Sequence, residues 1–434
     1  MSDVNIGLLG LAVLMILFAM GLELALAMFV VGFVGFAYVV NLHAACNLLA
    51  KDVFDSFESY TLTVVPLFVL MGQLAYNAGI AKRLYDAAHR FVGHISGGLG
   101  IATVTGCAIF GAICGSSAAT AATFASVSIP EMDRFGYNRK FSAGLVAISG
   151  TLGILIPPSV PMIIYGIITQ QSIGRLFMAG IMPGVIIALL FITLIVVRCK
   201  VNPAIAPRGK HFGWRERLRS LWGVIWPLLI FVLLMGGLLE GFFTPTEAGS
   251  VGTFAILLLS LAKKDLDKKA FIRSVAESLL TATMVLFLLA GSTVLGHFLA
   301  VTKIPMFVSE WVVNLPFQPW IIIALICLVY LLGGSFIDDL AFMVLATPIF
   351  FPAIVKLGFD PIWFGIMITI TVMVGIVLPP VAINVFVVKN VTNTSFKDIY
   401  NGVYPFLIGL VGCTILLFIV PQVATFLPNL LYGK

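Results

Sequence analysis

Gly153-Ile154-Leu155-Ile156-Pro157-Pro158 and, half a chain later, Gly375-Ile376-Val377-Leu378-Pro379-Pro380 share one pattern. A glycine leads an apolar tripeptide into a Pro-Pro pair, and each run lies inside an apolar segment of helix length. Upstream of each stands a Gly-Ser cluster, Gly115-Ser116-Ser117 and Gly334-Ser335. Proline removes a backbone donor and clashes with the preceding turn, so two in succession break a helix and leave carbonyls without partners. The recurrence predicts a duplicated chain with one interrupted helix in each half.

Composition places those breaks in a membrane. The chain has 434 residues, 60% hydrophobic and 10% charged, with mean hydropathy +1.11. A soluble domain carries about 25% charged residues, so this chain cannot cover a soluble core with a polar shell. Its apolar stretches run to about 20 residues, not the alternating ~10-residue strands of a barrel, and predict an all-α polytopic protein. Open backbone is tolerated in lipid only where protein or a lined cavity satisfies it. Interrupted helices at matching places in two halves point to a secondary transporter's binding site. Met1 to Leu9 lack a basic n-region, so the first apolar stretch reads as a mature span. The scattered cysteines show no CxxC and imply neither a disulfide framework nor a metal site. No Gly-rich loop with lysine for ATP is present, so transport must run on ion gradients.

Spans are expected near 6–22, 24–41, 60–78, 142–170 and 176–197, then 222–241, 247–262, 276–300, 361–388 and 403–427, about ten in all. Two longer stretches, about 97–128 and 318–353, carry central glycines and serines and read as re-entrant hairpins. With the N-terminus outside, Lys51, Arg175, Lys303, Lys356 and Lys434 fall outside and every other basic residue falls in a cytoplasmic segment, as the positive-inside rule requires. The first hairpin then opens to the cytoplasm and the second to the outside. Two inverted repeats follow, 1–200 and 222–434, joined by a basic cytoplasmic linker at 201–221. Segment 80–95 puts Ile80, Leu84, Ala87, Phe91 and Ile95 on one face, which fits a helix in the membrane plane or an ordinary cytoplasmic loop helix equally well.

The hairpins and breaks carry the candidate chemistry. Small residues and hydroxyls at a hairpin tip free backbone oxygens to face a cavity, while the alternative is close helix packing. The breaks carry Thr151, Gly153, Pro157, Pro158 and Ser159, then Gly375, Pro379, Pro380 and Asn384. Oxygen-only ligands of this kind suit an alkali cation. Asp338 and Asp339 follow the second Gly-Ser cluster, and an intramembrane carboxylate costs about 3 kcal/mol at a helix centre. Asp338 reads as a cation ligand or site organiser, and Asp339 as a carboxylate at a helix N-terminus. The first-half counterpart of Asp338 is Ala119, so the halves differ here. Thr244-Pro245-Thr246-Glu247 reads as a helix cap.

At this point a resemblance is specific. The runs Cys114-Gly115-Ser116-Ser117-Ala118-Ala119-Thr120-Ala121-Ala122, Ile129-Pro130-Glu131-Met132, Gly150-Thr151-Leu152-Gly153, Phe243-Thr244-Pro245-Thr246-Glu247-Ala248-Gly249 and Leu378-Pro379-Pro380-Val381-Ala382-Ile383-Asn384 occur in order along the whole chain. The chain resembles the large membrane subunit of TRAP (tripartite ATP-independent periplasmic, DctM-like) transporters. The resemblance implies a Na⁺-coupled importer of a small organic acid, such as a C4-dicarboxylate or sialic acid, with an elevator architecture of the ion-transporter type. One Na⁺ site would map to Ser116, Ser117, Thr151, Gly153 and Pro157, and a second to Gly334, Ser335, Asp338, Gly375 and Pro379. Ser117, Ser159 and Asn384 would meet the substrate, and no membrane-buried basic residue is expected to help them. The implied partners are a separate small four-span membrane subunit and a soluble periplasmic binding protein, at a bacterial inner membrane with both termini periplasmic.

Two rivals remain at this level. A divalent-anion/sodium symporter would share the architecture without a binding protein. An intramembrane hydrolase would need paired carboxylates, but neighbours on one helix point about 100° apart and make no dyad. The histidines form no HExxH, so an enzyme is not expected.

Overall fold

Polar caps set where the helices start. Asn41, Ser116, Asn138, Ser159, Ser172, Asp267, Asp338, Asp360 and Ser395 each accept a first-turn amide with the side chain. The computed structural model describes residues 2–433; Met1 and Lys434, the latter expected outside, lie beyond them. In the first half, α1 (Asp3–Ala19), α2 (Leu24–Val39), α3 (Leu42–Glu58), α4 (Val64–Asn77) and α5 (Ile80–Val92) lead to a hairpin of α6 (Gly98–Cys114) and α7 (Ser117–Arg134). A broken segment follows: α8 (Arg139–Ser149), a 3₁₀ turn (Gly150–Ile154) and α9 (Val160–Thr169), then α10 (Ile173–Val201). The second half runs α11 (Trp214–Leu221), α12 (Ile225–Leu239), α13 (Pro245–Ala262), α14 (Lys268–Val301) and α15 (Ile304–Val313). A hairpin of α16 (Pro319–Phe336) and α17 (Asp339–Lys356), a broken pair α18 (Pro361–Gly375) and α19 (Ile383–Thr392), then α20 (Phe396–Ile419) and α21 (Gln422–Tyr432) complete it.

Six of the described helices are long and apolar enough to cross a membrane, or up to eight if each of two bent pairs is one span. The ten expected from hydropathy are not all long helices, because α1 and α2 have only 17 and 16 residues and the breaks shorten α8, α9, α18 and α19. The chain is therefore a multi-pass, all-helical membrane protein whose hairpins and broken segments fall where the glycines and prolines put them.

The helices gather into two groups. α2 and α4 lie along α14, with α13 and α12 behind α4. α14 has 34 residues and is about 50 Å long, well beyond the ~30 Å hydrocarbon core. The other group packs α20 on α8, α16 on α18, and α19 on α7 and α8. Its centre is aromatic: buried Trp363 donates Nε1–H to Leu417 O at 3.0 Å, and Tyr165 donates to Pro361 O at 2.7 Å, closing α9 on α18. Five of the six cysteines are buried and all six are free thiols.

α5 forms, and Ile80, Leu84 and Ala87 are buried where it packs on α6 and α7. Ile95 lies past the helix end and is exposed. The linker is held in place: Gly209 N–H donates to Gly93 O at 2.8 Å and Asn138 N–H to Ile205 O at 2.8 Å, stitching it to the base of the first hairpin.

The cap at Thr244 is as read. Its hydroxyl accepts Glu247 N–H at 3.3 Å while the Glu247 carboxylate accepts Thr244 N–H at 2.8 Å. Thr244→Ala should cost about 1 kcal/mol, seen as a lower thermal midpoint in detergent, with the ion dependence of transport unchanged.

Candidate functional site

Each break is hooked by a hairpin tip. Gly115 ends α6 in the left-handed region (φ 66°), and its carbonyl accepts Val160 N–H at 3.4 Å, just past Pro157-Pro158. In the second half Ser335 O accepts Val381 N–H at 3.0 Å, just past Pro379-Pro380. Both Pro-Pro peptide bonds are cis. The glycines that open the breaks make this seating possible. A Cβ on Gly153 would lie 2.6 Å from Ser116 O and 2.7 Å from Thr120 Oγ1. One on Gly375 would lie 2.7 Å from Leu331 O and 2.8 Å from the Gly334 carbonyl carbon.

The first set of candidates is thus partly assembled. Ser116 caps α7, its hydroxyl accepting Ala119 N–H at 3.4 Å and its carbonyl accepting Thr120 Oγ1–H at 2.7 Å beside Gly153. Ser117 and Pro157 are buried, and Thr151 spends its hydroxyl proton on Ile148 O at 2.7 Å. In the second set, Gly334 and Ser335 lie against Gly375, and Ser335 donates to Leu331 O at 2.9 Å. Asp338 is itself the N-cap of α17, accepting Leu340 N–H at 3.2 Å, and Asp339 is the first helical residue, 7% exposed. Pro379 is exposed where Pro157 is buried.

A cavity of about 290 Å³ joins the two tips. Ser116 to Ala119 line it from the first hairpin, and Asp338 to Leu340 from the second. Ile154, Val160, Ile376 and Ile383 bound it from the breaks, while Gln73 of α4 and Thr281 and Met284 of α14 close the far wall. The cavity is therefore enclosed by both helix groups. Among the described residues its only charged lining groups are the two aspartates.

Ser159 and Asn384 are not among the lining residues. Ser159 is fully buried, donating to Ile154 O at 2.5 Å and accepting Met162 N–H at 3.4 Å as the α9 cap. Asn384 donates Nδ2–H to Ala147 O at 3.0 Å and ties the two broken segments together. Its Oδ1 and the Ser149 hydroxyl are buried without a hydrogen-bond partner. Among the described residues no group of three or more His, Cys, Asp or Glu could hold a metal ion. A cation here would rest on carbonyls, hydroxyls and the aspartates, a donor set suited to a hard ion.

Sequence reading missed Gln73, Thr281, Ser149 and a basic residue. Arg273 lines a second cavity of about 170 Å³ that shares Gln73, Cys114 and Ala119 with the first. The expected span began at 276, but α14 starts at Lys268, which carries Arg273 onto the same membrane helix as Glu277. Glu/Arg spacing of four residues on a continuous helical pattern was the available signal.

Comparison with known proteins gives the site its context. Residues 11–423 match the model of the "Tripartite ATP-independent periplasmic transporter, DctM component" family. The chain is 36% identical over 382 residues to the C4-dicarboxylate TRAP transporter large permease protein DctM of Pseudomonas aeruginosa, covering 88% of this chain and 89% of that one. It is 33% identical to the sialic acid large permease SiaM of Vibrio cholerae, covering 92% and 94%. It is 32% identical to the ectoine large permease TeaC of Halomonas elongata, covering 96% and 97%. Among solved structures, the YdaH transporter of Alcanivorax borkumensis has the same overall fold, with TM-score 0.59 at 13% identity over 88% of this chain and 89% of that one.

Proposed function

The chain belongs to the DctM family of tripartite ATP-independent periplasmic transporter components, and from that premise we propose that it imports a carboxylate-bearing solute with Na⁺ by an elevator movement. It is a large permease subunit, and the family's activity is transport, not catalysis. The family's tripartite organisation implies a small membrane subunit and a soluble periplasmic binding protein at the bacterial inner membrane. The solutes named for its relatives include a C4-dicarboxylate, sialic acid and ectoine, which carry a carboxylate, and isethionate, which carries a sulfonate in its place.

One observation carries the reading: the tips of both hairpins meet in a single cavity walled on the far side by α4 and α14. We assign the hairpins and broken segments to a moving domain and α2, α4, α12, α13 and α14 to a fixed scaffold. The repeats, divided near 201–221, are read as inverted, with the N-terminus outside and the linker in the cytoplasm. Ser116, Ser117, Thr151, Gly153 and Pro157 would hold one Na⁺, and Gly334, Ser335, Asp338, Gly375 and Pro379 the other. Ser117 would meet the solute directly, and Asn384 and Ser159 would shape the breaks behind it.

The electrostatics supply a coupling mechanism. A carboxylate entering a cavity whose charged lining is two aspartates meets repulsion of about 3 kcal/mol per pair at 6 Å and an effective dielectric of 20. A bound Na⁺ removes that barrier, so the solute binds well only after the cation. Each net positive charge moved inward across ~100 mV adds about 2.3 kcal/mol of drive.

The test is uptake of succinate, sialic acid and ectoine by proteoliposomes holding this chain and its small subunit, with the cognate binding protein. Uptake should require an inward Na⁺ gradient and the binding protein. Gradient-independent uptake overturns Na⁺ coupling; uptake without the binding protein favours a self-sufficient symporter.

A further inference from the structure

We propose that Arg273, held by Glu277, forms an anion-selective mouth through which the solute's carboxylate leaves the main cavity toward the N-terminal end of α14. The proposal rests on the reading of the main cavity as the solute site.

The two cavities adjoin, and α14 runs through both. Arg273, Glu277, Thr281 and Val285 recur at four-residue spacing and form one ridge that winds slowly along the helix. Thr281 and Val285 line the main cavity, while Arg273 and Glu277 line the second. Arg273 therefore lies about 12 Å along the axis from Thr281, on the side of the lysine-rich start of α14. Gly72 and Ala122 line the second cavity with it, beside the residues Gln73, Cys114 and Ala119 that the two cavities share.

An exposed pair four residues apart on a helix usually contributes little to stability, and here its geometry favours a different role. Arg273 donates Nε–H to Glu277 Oε1 at 2.7 Å, and no hydrogen bond among the described residues uses its two terminal amino groups. Those groups form a planar fork matched to a carboxylate. Glu277 pre-sets the guanidinium and offsets its charge. A passing anion is thereby attracted yet held weakly enough to leave, as a conduction path requires. Arg273 also supplies the basic group that the aspartate-lined main cavity lacks.

Cys114 is a native reporter, because it lines both cavities and is 7% exposed. The full chain with its small subunit is treated with an anionic (sulfonatoethyl) or a cationic (trimethylammonioethyl) methanethiosulfonate, and modification of Cys114 is followed by peptide mass. The anionic-to-cationic rate ratio should fall roughly five-fold in Arg273→Gln, fall less in Arg273→Lys, which keeps the charge but loses the fork, and rise in Glu277→Gln. Arg273 is 64% exposed in its side chain, so Arg273→Gln should keep the wild-type thermal midpoint. A ratio unchanged in Arg273→Gln, or a Cys114 unreactive to both reagents, overturns the proposal. Labelling needs neither solute nor Na⁺ gradient, so its failure is separable from failure of sodium coupling.

Discussion

Asp338→Asn should sharply raise the Na⁺ concentration that transport requires while keeping the wild-type fold. The carboxylate has two jobs in the structure: it caps α17 through Leu340 N–H, and it lines the cavity beside Asp339. Asparagine caps as well as aspartate, so the substitution preserves the first job and removes the charge that serves the second. Withdrawing one unit charge about 4 Å from a cation, at an effective dielectric of 20, forfeits about 4 kcal/mol of attraction. Desolvation and the remaining ligands reduce that figure, and a rise in the apparent Na⁺ requirement of roughly a hundred-fold is expected. Asp338→Ala should show the same functional loss with an added stability cost of about 1 kcal/mol from the missing cap. The measurement is solute uptake against external Na⁺, paired with thermal midpoints of the purified variants. A normal Na⁺ titration in Asp338→Asn would leave Asp338 with only its capping role and move the cation site elsewhere.

The positions of the breaks were legible because proline and glycine act locally. Pro157-Pro158 and Pro379-Pro380 stop helices wherever they occur, and Gly115 and the Ser335 region end the first limbs of hairpins regardless of what packs there. Asp338 was legible as an unusual intramembrane acid, but its place as the cap itself, with Asp339 one step inside, depends on backbone geometry that periodicity does not resolve. α3 escaped notice because Lys51, Asp52 and Asp55 make it amphipathic instead of uniformly apolar. The same bias toward hydropathy cut the start of α14 and hid Arg273. Ser159 illustrates the opposite error: a polar residue beside a break reads as a ligand, while Ser159-Val160-Pro161 also carries the signature of a helix start, and the hydroxyl is used that way. The hairpin-tip lining of the cavity was legible in Ser116, Ser117 and Asp338, but its far wall was not. The cavity forms between residues far apart in the chain, such as Gln73, Ser117, Thr281 and Asp338, and only tertiary packing brings them together.

Gly375→Ala should unseat the second hairpin from its break and abolish transport. The added methyl would lie 2.7 Å from Leu331 O, 2.8 Å from the Gly334 carbonyl carbon and 3.0 Å from Ser335 N. All three are backbone atoms, so no side chain can swing away and the hairpin must shift as a unit. Overpacking of this kind costs about 1–3 kcal/mol, and the shift pulls Ser335 O from the Val381 amide that follows the Pro-Pro pair. Gly153→Ala meets the same obstacle at Ser116 O and Thr120 Oγ1. Gly236→Ala on α12 is the control, since nothing lies within 4 Å of its added methyl and alanine favours a helix over glycine by about 1 kcal/mol. Thermal midpoints should fall for both break variants and hold or rise for the control. Na⁺ titrations of uptake then separate the halves. If cations are held at both breaks, each variant shifts the Na⁺ requirement; if Asp338 makes the second the stronger site, Gly375→Ala shifts it further than Gly153→Ala. Wild-type uptake in Gly375→Ala would mean that the contact between hairpin and break packs the protein without holding an ion.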